Sequence, residues 1–324
     1  MTSQTERRAP PPPELVGNSP AVLLAADAAA RTARSSDPAL IVAERGFSAE
    51  RIARFIHGDA PGSFLVIDCG GPGASVVREL FGPSSSREDL ETIDRGSLVG
   101  HAQGGTLLLS NIGELAALGQ LRLSRLLRDG EMRVDGKPVP LRTRVIAAAY
   151  PGLEREAAEN RFRPELFERL QRMRVDVPPL RDRAADLPQI ITMVLQDVCA
   201  SRGTPRTLAP AALTALASLP WPGNLDELRL ALDRLVDRVR SGTIRQEDVI
   251  ADLRPSPSQA RRVGALGTLR DARLAFERDY IAAVLKEHGW RMSDAARTLG
   301  IQRANLYRKT RQLGIHRIKP SRTP

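Results

Sequence analysis

The chain has 324 residues, 42% of them hydrophobic, with 48 Lys+Arg against 38 Asp+Glu and a net charge of +10. That length suits two or three domains with genuine cores. No apolar run approaches the roughly 18 residues of a membrane helix, and the opening MTSQTERRAPPPPELVG lacks the apolar centre of a signal peptide. Two distant cysteines (Cys69, Cys199) and four scattered histidines argue against a disulfide framework and a metal site, so a reduced cytoplasmic protein with buried thiols is expected.

Residues 1–17 are polar with a four-proline run, and read as a disordered or polyproline tail. Pro20 to Ala33 is Ala- and Leu-rich and helical. Ala39 to Ala43 is a short buried strand, followed by a helix over Ala49 to His57 with Ile52, Phe55 and Ile56 inward. Phe64 to Asp68, Thr106 to Ser110 and Arg144 to Ala149 are three further strands, with helices between them, notably Leu118 to Asp129. Apolar strands alternating with helices argue for a parallel sheet covered on both faces. Past Pro178-Pro179-Leu180-Arg181 the periodicity from Asp186 to about Ala251 is helical only, with helices over Pro210 to Leu219, Asn224 to Arg238 and Gln246 to Ala251. Pro255 to Gly267 reads as a linker. Leu269, Ala272, Phe276, Tyr280 and Ala283 then recur at three- and four-residue steps, the apolar stripe of a long helix.

The last stretch, Trp290 to Arg317, reads as two short helices around a tight turn. Ser293 is the expected N-cap of the first. Ala295, Ala296 and Leu299 form its apolar face, and Gly300 ends it. The second runs from about Gln302 to Leu313, with Leu306 and Leu313 on its buried stripe. Arg291 to Pro324 holds nine Lys/Arg and one Asp, a net of +8 out of the chain's +10. A helix–turn–helix with a basic second helix suits the DNA major groove. The expected DNA-contacting residues are Ser293, Gln302, Arg303, Asn305, Tyr307, Arg308, Lys309 and Arg311, cations serving phosphate and Arg, Asn and Gln reading base edges. The order S-D-A-A-R-x-L-G-I, x-R-x-x-L-Y-R-K, L-G-I resembles the Fis-type helix–turn–helix of NtrC-type bacterial regulators. In such domains the preceding helix makes the dimer, which implies a near-palindromic operator.

Residues 17 to about 253 resemble the AAA+ domain of sigma-54-dependent activators. The landmarks are GNSPAV (17–22), ELFG (79–82), GGTLLL (104–109), IGEL (112–115), RVIAAA (144–149), RFRPELFERL (161–170), VPPLRDR (177–183), DLP (186–188) and WPGN (221–224). The resemblance implies ATP-driven remodelling of a sigma-54 polymerase by a ring, but the residues for that chemistry depart from the pattern. A phosphate loop reads GxxxxGK[ST], its glycines admitting phosphate and its Lys neutralising charge. Here the loop is Ala43-Glu44-Arg45-Gly46-Phe47-Ser48-Ala49-Glu50, with Ala49 at the Lys position and Ser48 for the preceding glycine. Arg45 lies on the wrong side of the loop to stand in. The Asp-Glu that organises Mg²⁺ is replaced by Ser110-Asn111, the sensor Asn by Tyr150 and the lid Arg by Asp226. The sigma-gripping GAFTGA loop is replaced by Ser86-Arg87-Glu88-Asp89-Leu90-Glu91. Arg163 and Arg169 sit where the family keeps the arginine fingers that reach a neighbour's nucleotide, or else pack on the surface.

The expected architecture is an α/β AAA+ core with a helical lid, plus an all-α C-terminal helix–turn–helix domain. Its divisions are 1–17 tail, 18–183 α/β subdomain, 184–253 lid, 254–267 linker, 268–318 DNA-binding domain and 319–324 basic tail. The expected function is sequence-specific DNA binding with the AAA+ domain kept as a catalytically inactive assembly scaffold. The alternatives are an ATP-hydrolysing activator with atypical motifs, with ATP and Mg²⁺ as cofactors only then, and an adaptor in a mixed ring with an active NtrC-type relative. Expected partners are double-stranded DNA and further copies of the chain, as a dimer through the C-terminal domain and a higher oligomer through the AAA+ domain, in the bacterial nucleoid and without a membrane. No receiver domain is expected ahead of the core.

Overall fold

The computed structural model describes residues 11–83, 90–240 and 242–253, and in the C-terminal part residues 277, 278, 280–282, 284, 285, 290, 292–299, 301–313 and 315. It divides into two compact units, Met1–Asp252 and Leu253–Pro324.

The first unit opens with a short 3-10 turn, Pro13–Leu15, then α1 (Pro20–Thr32), β1 (Ala39–Val42), α2 (Ala49–His57), β2 (Phe64–Asp68), α3 (Gly73–Phe81), α4 (Leu98–His101), β3 (Thr106–Ser110), α5 (Ala117–Asp129), β4 (Glu131–Val134), β5 (Lys137–Pro140), β6 (Arg144–Ala149), α6 (Leu153–Ala158), α7 (Pro164–Leu170) and β7 (Met173–Asp176). The main sheet has the order β2-β3-β6-β1-β7, parallel throughout. Strand β1 lies between β6 and β7 and is wholly buried. Alternation by two sends Leu40 and Val42 into one core with Ile67, Leu107 and Leu109, while Ala39 and Ile41 join Leu108 and Ile146 in the other under α1 and α2. That two-sided burial explains the unbroken apolar runs of these strands.

The sheet has a fifth strand beyond the four expected. β7 lies on the edge next to β1, and only Val175 of its four residues is buried, so its sequence carries little apolar signal. β4 and β5 form an antiparallel hairpin, also absent from the sequence reading. Its turn is Asp135-Gly136, both at positive φ (52° and 75°), the backbone that a two-residue hairpin requires.

The lid follows a turn over Leu180–Asp186 and comprises α8 (Leu187–Arg202), β8 (Thr207–Leu208), α9 (Pro210–Ala217), α10 (Asn224–Arg238), β9 (Thr243–Ile244) and α11 (Gln246–Leu253). The helical-only expectation is corrected by the small parallel β8–β9 pair. Within that helical span α8 adds a helix not named in advance, whose Leu187, Ile190, Ile191, Val194, Leu195 and Val198 make a buried stripe. Trp221 is the lid's wedge, 3% exposed, donating its indole N–H to Leu216 O at 2.9 Å. Cys69 is fully buried, and Cys199 is half-buried against the lid core. Burial, and then Asp68, push the Cys69 thiol up to about 12.

Among its described residues the second unit has helical residues over 277–285, α12 (Met292–Thr298) and α13 (Arg303–Gln312). Ile281, Val284, Leu285, Ala295, Ala296 and Leu306 form its core. The expected stripe is corrected at Tyr280, which is 54% exposed, while Ile281, Val284 and Leu285 are buried. Leu269, Ala272, Phe276 and Ala283, and the linker, lie outside the described residues, as do Ser86-Arg87-Glu88-Asp89.

Candidate functional sites

The parallel register aligns the carboxyl ends of the strands along one edge of the sheet. Val42 pairs with Ala149 and Asp176, and Asp68 with Ser110. The loop after β1, Ser110-Asn111 and Tyr150 therefore all emerge on that edge, where ligands of open α/β sheets bind.

The loop is closed over by the protein's own lid. Gly46 has φ 89°, and a Cβ there would lie 1.9 Å from Gly223 O, so only glycine fits beneath the lid backbone. Gly46 O accepts the Asp226 N–H at 3.0 Å, seating the first turn of α10 on the loop. Asn224, fully buried, donates to Arg45 O at 2.9 Å and accepts the Leu180 N–H at 3.0 Å. Glu44 receives both Nη groups of Arg181 at 2.6 and 2.7 Å, and that pairing holds its carboxyl below the usual range. Phe47 packs against both the sheet core and the lid core. Ser48 is the N-cap of α2, its Oγ accepting from Arg51 N at 3.3 Å. Ala49 and Glu50 open the helix, Glu50 forming an exposed ion pair with Arg54.

Arg45 turns to the Tyr150 ring, 5.2 Å from its centroid. Asp226 is exposed at the start of α10. Asn111 takes a left-handed conformation (φ 54°) and donates its amide to Asp68 Oδ1 at 2.7 Å. The Gly70 N–H, and then this amide, hold the Asp68 carboxyl below its usual range. Positions 110 and 111 carry no carboxylate. Asp68 brings one to the same edge from the neighbouring strand, visible only once the β2–β3 register is known.

The segment before α1 corrects the expectation of a loose tail. Pro13 to Val16 are buried, and the Glu14 side chain is fully buried. Glu14 Oε1 accepts from Ser48 N at 3.2 Å and from Arg51 Nε at 3.0 Å. Arg183, 1% exposed, donates to Glu14 O at 2.8 Å and Pro13 O at 3.4 Å, and burial lowers its pKa to about 10. Asp186 accepts from the N–H groups of Asn18 (2.7 Å) and Ser19 (3.1 Å) and from the Ser19 hydroxyl (2.6 Å). Burial pushes the Asp186 carboxyl up, but these donors and Arg183 outweigh that and hold it below its usual value.

Arg163 and Arg169 line a crevice of about 370 Å³ between α5 and α7, with Arg125, Arg128, Arg172, Glu165 and Glu168. Arg163 Nε is buried without a hydrogen-bond partner, its nearest anion being Glu165 at 3.8 Å. Arg169 donates to Leu127 O at 3.3 Å.

In the second unit α13 begins after Gln302, and Arg303, Ala304, Tyr307, Arg308 and Arg311 are exposed along one face. Arg303 stacks over Tyr307, 5.7 Å from the ring centroid. Asn305 is half-buried. Lys309, expected among the DNA contacts, is ion-paired with Glu277. Ser293 is the second residue of α12 rather than its cap, because the helix already starts at Met292, close behind Trp290 at φ 67°.

A parallel sheet with a loop–helix turn at its carboxyl edge, a helical lid over it and a helix–turn–helix unit define a AAA+ regulator with a DNA-binding module. The chain belongs to the sigma-54 interaction domain family, which matches residues 15–176. The AAA+ ATPase lid domain matches 181–265, and the bacterial regulatory protein, Fis family, matches 273–313. It is 32% identical to the Nif-specific regulatory protein of Azotobacter vinelandii over 94% of this chain and 60% of that protein. It is also 32% identical to the DNA-binding transcriptional regulator NtrC of Salmonella typhimurium, over 94% of this chain and 71% of NtrC. NtrX from Brucella abortus in complex with ADP superposes with a TM-score of 0.62 at 28% identity, covering 94% of this chain and 70% of NtrX. The chain thus spans about three fifths of the length of the Azotobacter relative.

Proposed function

We propose that this chain is a sequence-specific DNA-binding transcription regulator whose AAA+ core is a nucleotide-independent assembly scaffold and does not drive sigma-54 polymerase. The observation that carries this reading is the loop after β1. It has no Lys, and its backbone contacts are made by the lid through Gly46, Arg45 and Glu44. Transition-state stabilisation of phosphoryl transfer rests on positioned cations and metal. Here Ala49, Ser110, Asn111, Tyr150 and Asp226 occupy those positions. The exposed face of α13 reads DNA, Arg303 with Gln302 at base edges and Arg308 and Arg311 on phosphates, with the half-buried Asn305 beside them as a further base contact. The chain acts in the cytoplasm as a dimer through the C-terminal unit, with higher assembly through the core.

A mixed ring is the second reading, favoured by the arginine crevice. Five guanidinium groups, with Arg163 Nε making no hydrogen bond, suit the phosphates of a nucleotide held by an intact relative. Phosphate release measured on this chain alone, on an intact relative, and on the two mixed separates the readings. The chain alone releases none, and stimulation of the relative that disappears with Arg163→Ala identifies the mixed ring. Turnover by the chain alone that is lost on changing Asp68 would instead establish the ATP-hydrolysing alternative.

A further inference from the structure

We infer that Glu14 is an internal ligand of the phosphate loop, its carboxylate taking the anion position at the N-terminus of α2 and strapping residues 13–16 across the cleft. This deepens the nucleotide-independent reading of the same cleft.

A helix N-terminus offers unpaired N–H groups and the positive end of its dipole, and a loop-to-helix turn after a central strand presents them to an anion. Here the Ser48 N–H is taken by Glu14 Oε1 at 3.2 Å, and Arg51 adds its Nε at 3.0 Å and an Nη at 2.9 Å. The Glu14 side chain is 0% exposed, and its second oxygen is buried without a protein partner. A carboxylate is costly to bury without opposing charge, and an apolar residue would fill the space at less cost. Arg51 is equally out of place alone, because a cation in the first turn of a helix opposes the dipole. Each charge is accounted for by the other, and both by the helix end.

The strap is fastened at both ends by the lid side of the cleft. Arg183 holds the carbonyls of Pro13 and Glu14, and Asp186 holds the N–H groups of Asn18 and Ser19. Gly17 passes so close that a Cβ there would sit 2.3 Å from the Asp186 carboxylate. Leu15 enters the core under α1 and α2. One carboxylate thereby joins the entry segment, the loop and α2, while its own backbone is tied to the lid. A bound nucleotide's phosphates make such a connection from outside; here it is built into the chain.

The test is chemical rescue. Full-length Glu14→Ala leaves a carboxylate-sized space facing Ser48 N–H and Arg51. Its Tm is expected to fall by about 5 °C in chloride, and at least half of that loss is expected to return with 50–100 mM formate at matched ionic strength (roughly the level needed for a weak single-anion site). Wild type is expected not to respond to formate, and Glu14→Ala/Arg51→Leu is expected to gain nothing from it. A Glu14→Ala protein as stable as wild type, or one that formate restores no better than chloride, overturns the assignment. Equal restoration in the double variant does the same. Should Glu14→Ala not fold in chloride, refolding in formate is the readout: recovery supports the proposal and failure in both salts overturns it. Loss of rescue defeats the Glu14 assignment whether or not ATP is turned over, and phosphate release defeats the proposed function whatever formate does.

Discussion

Two parts of this molecule have the means to meet phosphate, and they use their cations in opposite ways. Around the loop after β1 the guanidinium groups are committed to the protein itself: Arg51 to Glu14, Arg181 to Glu44, Arg183 to two backbone carbonyls and Arg45 to the face of Tyr150. On α13, Arg308 and Arg311 stand exposed along one face, while Lys309 is paired with Glu277 and Arg303 lies over the Tyr307 ring. Both places are rich in cations. What differs is whether each positive group already has an internal counterpart, and that separates a structural joint from a surface prepared for an external polyanion.

The contrast is broken most severely at Arg183. Arg183→Met keeps the volume, strips the Glu14 carbonyl of the Arg183 donor and leaves the Pro13 carbonyl only the long Val16 N–H contact, so stability should fall by on the order of 3 kcal/mol in urea unfolding. A change below a tenth of that would mean the strap is not held as described. On the other side, Arg303→Ala should cost about 1–3 kcal/mol on the preferred duplex and relax sequence choice there, whereas Arg308→Ala should weaken all duplexes and reduce the salt slope by about one. Because Lys309 is already neutralised by Glu277, Lys309→Ala should alter the salt slope less than Arg308→Ala; the reverse order in a salt titration of gel shifts would contradict the pairing.

The strap and its clamp should also differ in pH dependence. Burial raises the Glu14 carboxyl, with Arg51 offsetting part of that. Ionising it therefore costs stability that the Arg51 and Ser48 contacts only partly return, so stability falls as pH rises from its ordinary 4.5 through the folded value, and above that the buried carboxylate depends on those contacts. Asp186 is lowered, so its contribution is present above 3.8 and is lost as pH falls through the folded value. Glu14→Gln should flatten the first slope and Asp186→Asn the second, in Tm measured from pH 3 to 7. The smallest effect belongs to the exposed Glu44–Arg181 pair, where Arg181→Ala should shift the urea-unfolding midpoint less than any of these variants.

The sequence made one half of this contrast plain and hid the other. Buried strands such as Ala39–Val42 and Thr106–Ser110 announce themselves by unbroken apolar runs, and α13 by its basic face. The substituted loop positions Ser48 and Ala49 could be read directly against the resemblance. Glu14 could not, because it sits 34 residues from Ser48 beside a proline run whose local composition signals disorder, and its burial depends on Arg51 and Arg183 arriving from elsewhere. Asp68 meets Asn111 through strand pairing 43 residues apart. Two elements were within reach: the Asp135-Gly136 turn signals the β4–β5 hairpin, and the three-four spacing of Ile190, Ile191, Val194 and Leu195 marks α8.

The central claim is that contacts within the chain stand where a nucleotide's would be. Calorimetric titration of the full chain with Mg-ATP, using the same preparation that shifts a preferred duplex, tests it most directly. The account predicts no saturable heat up to millimolar nucleotide while DNA binding is retained. Stoichiometric, saturable Mg-ATP binding by the wild-type chain would contradict it.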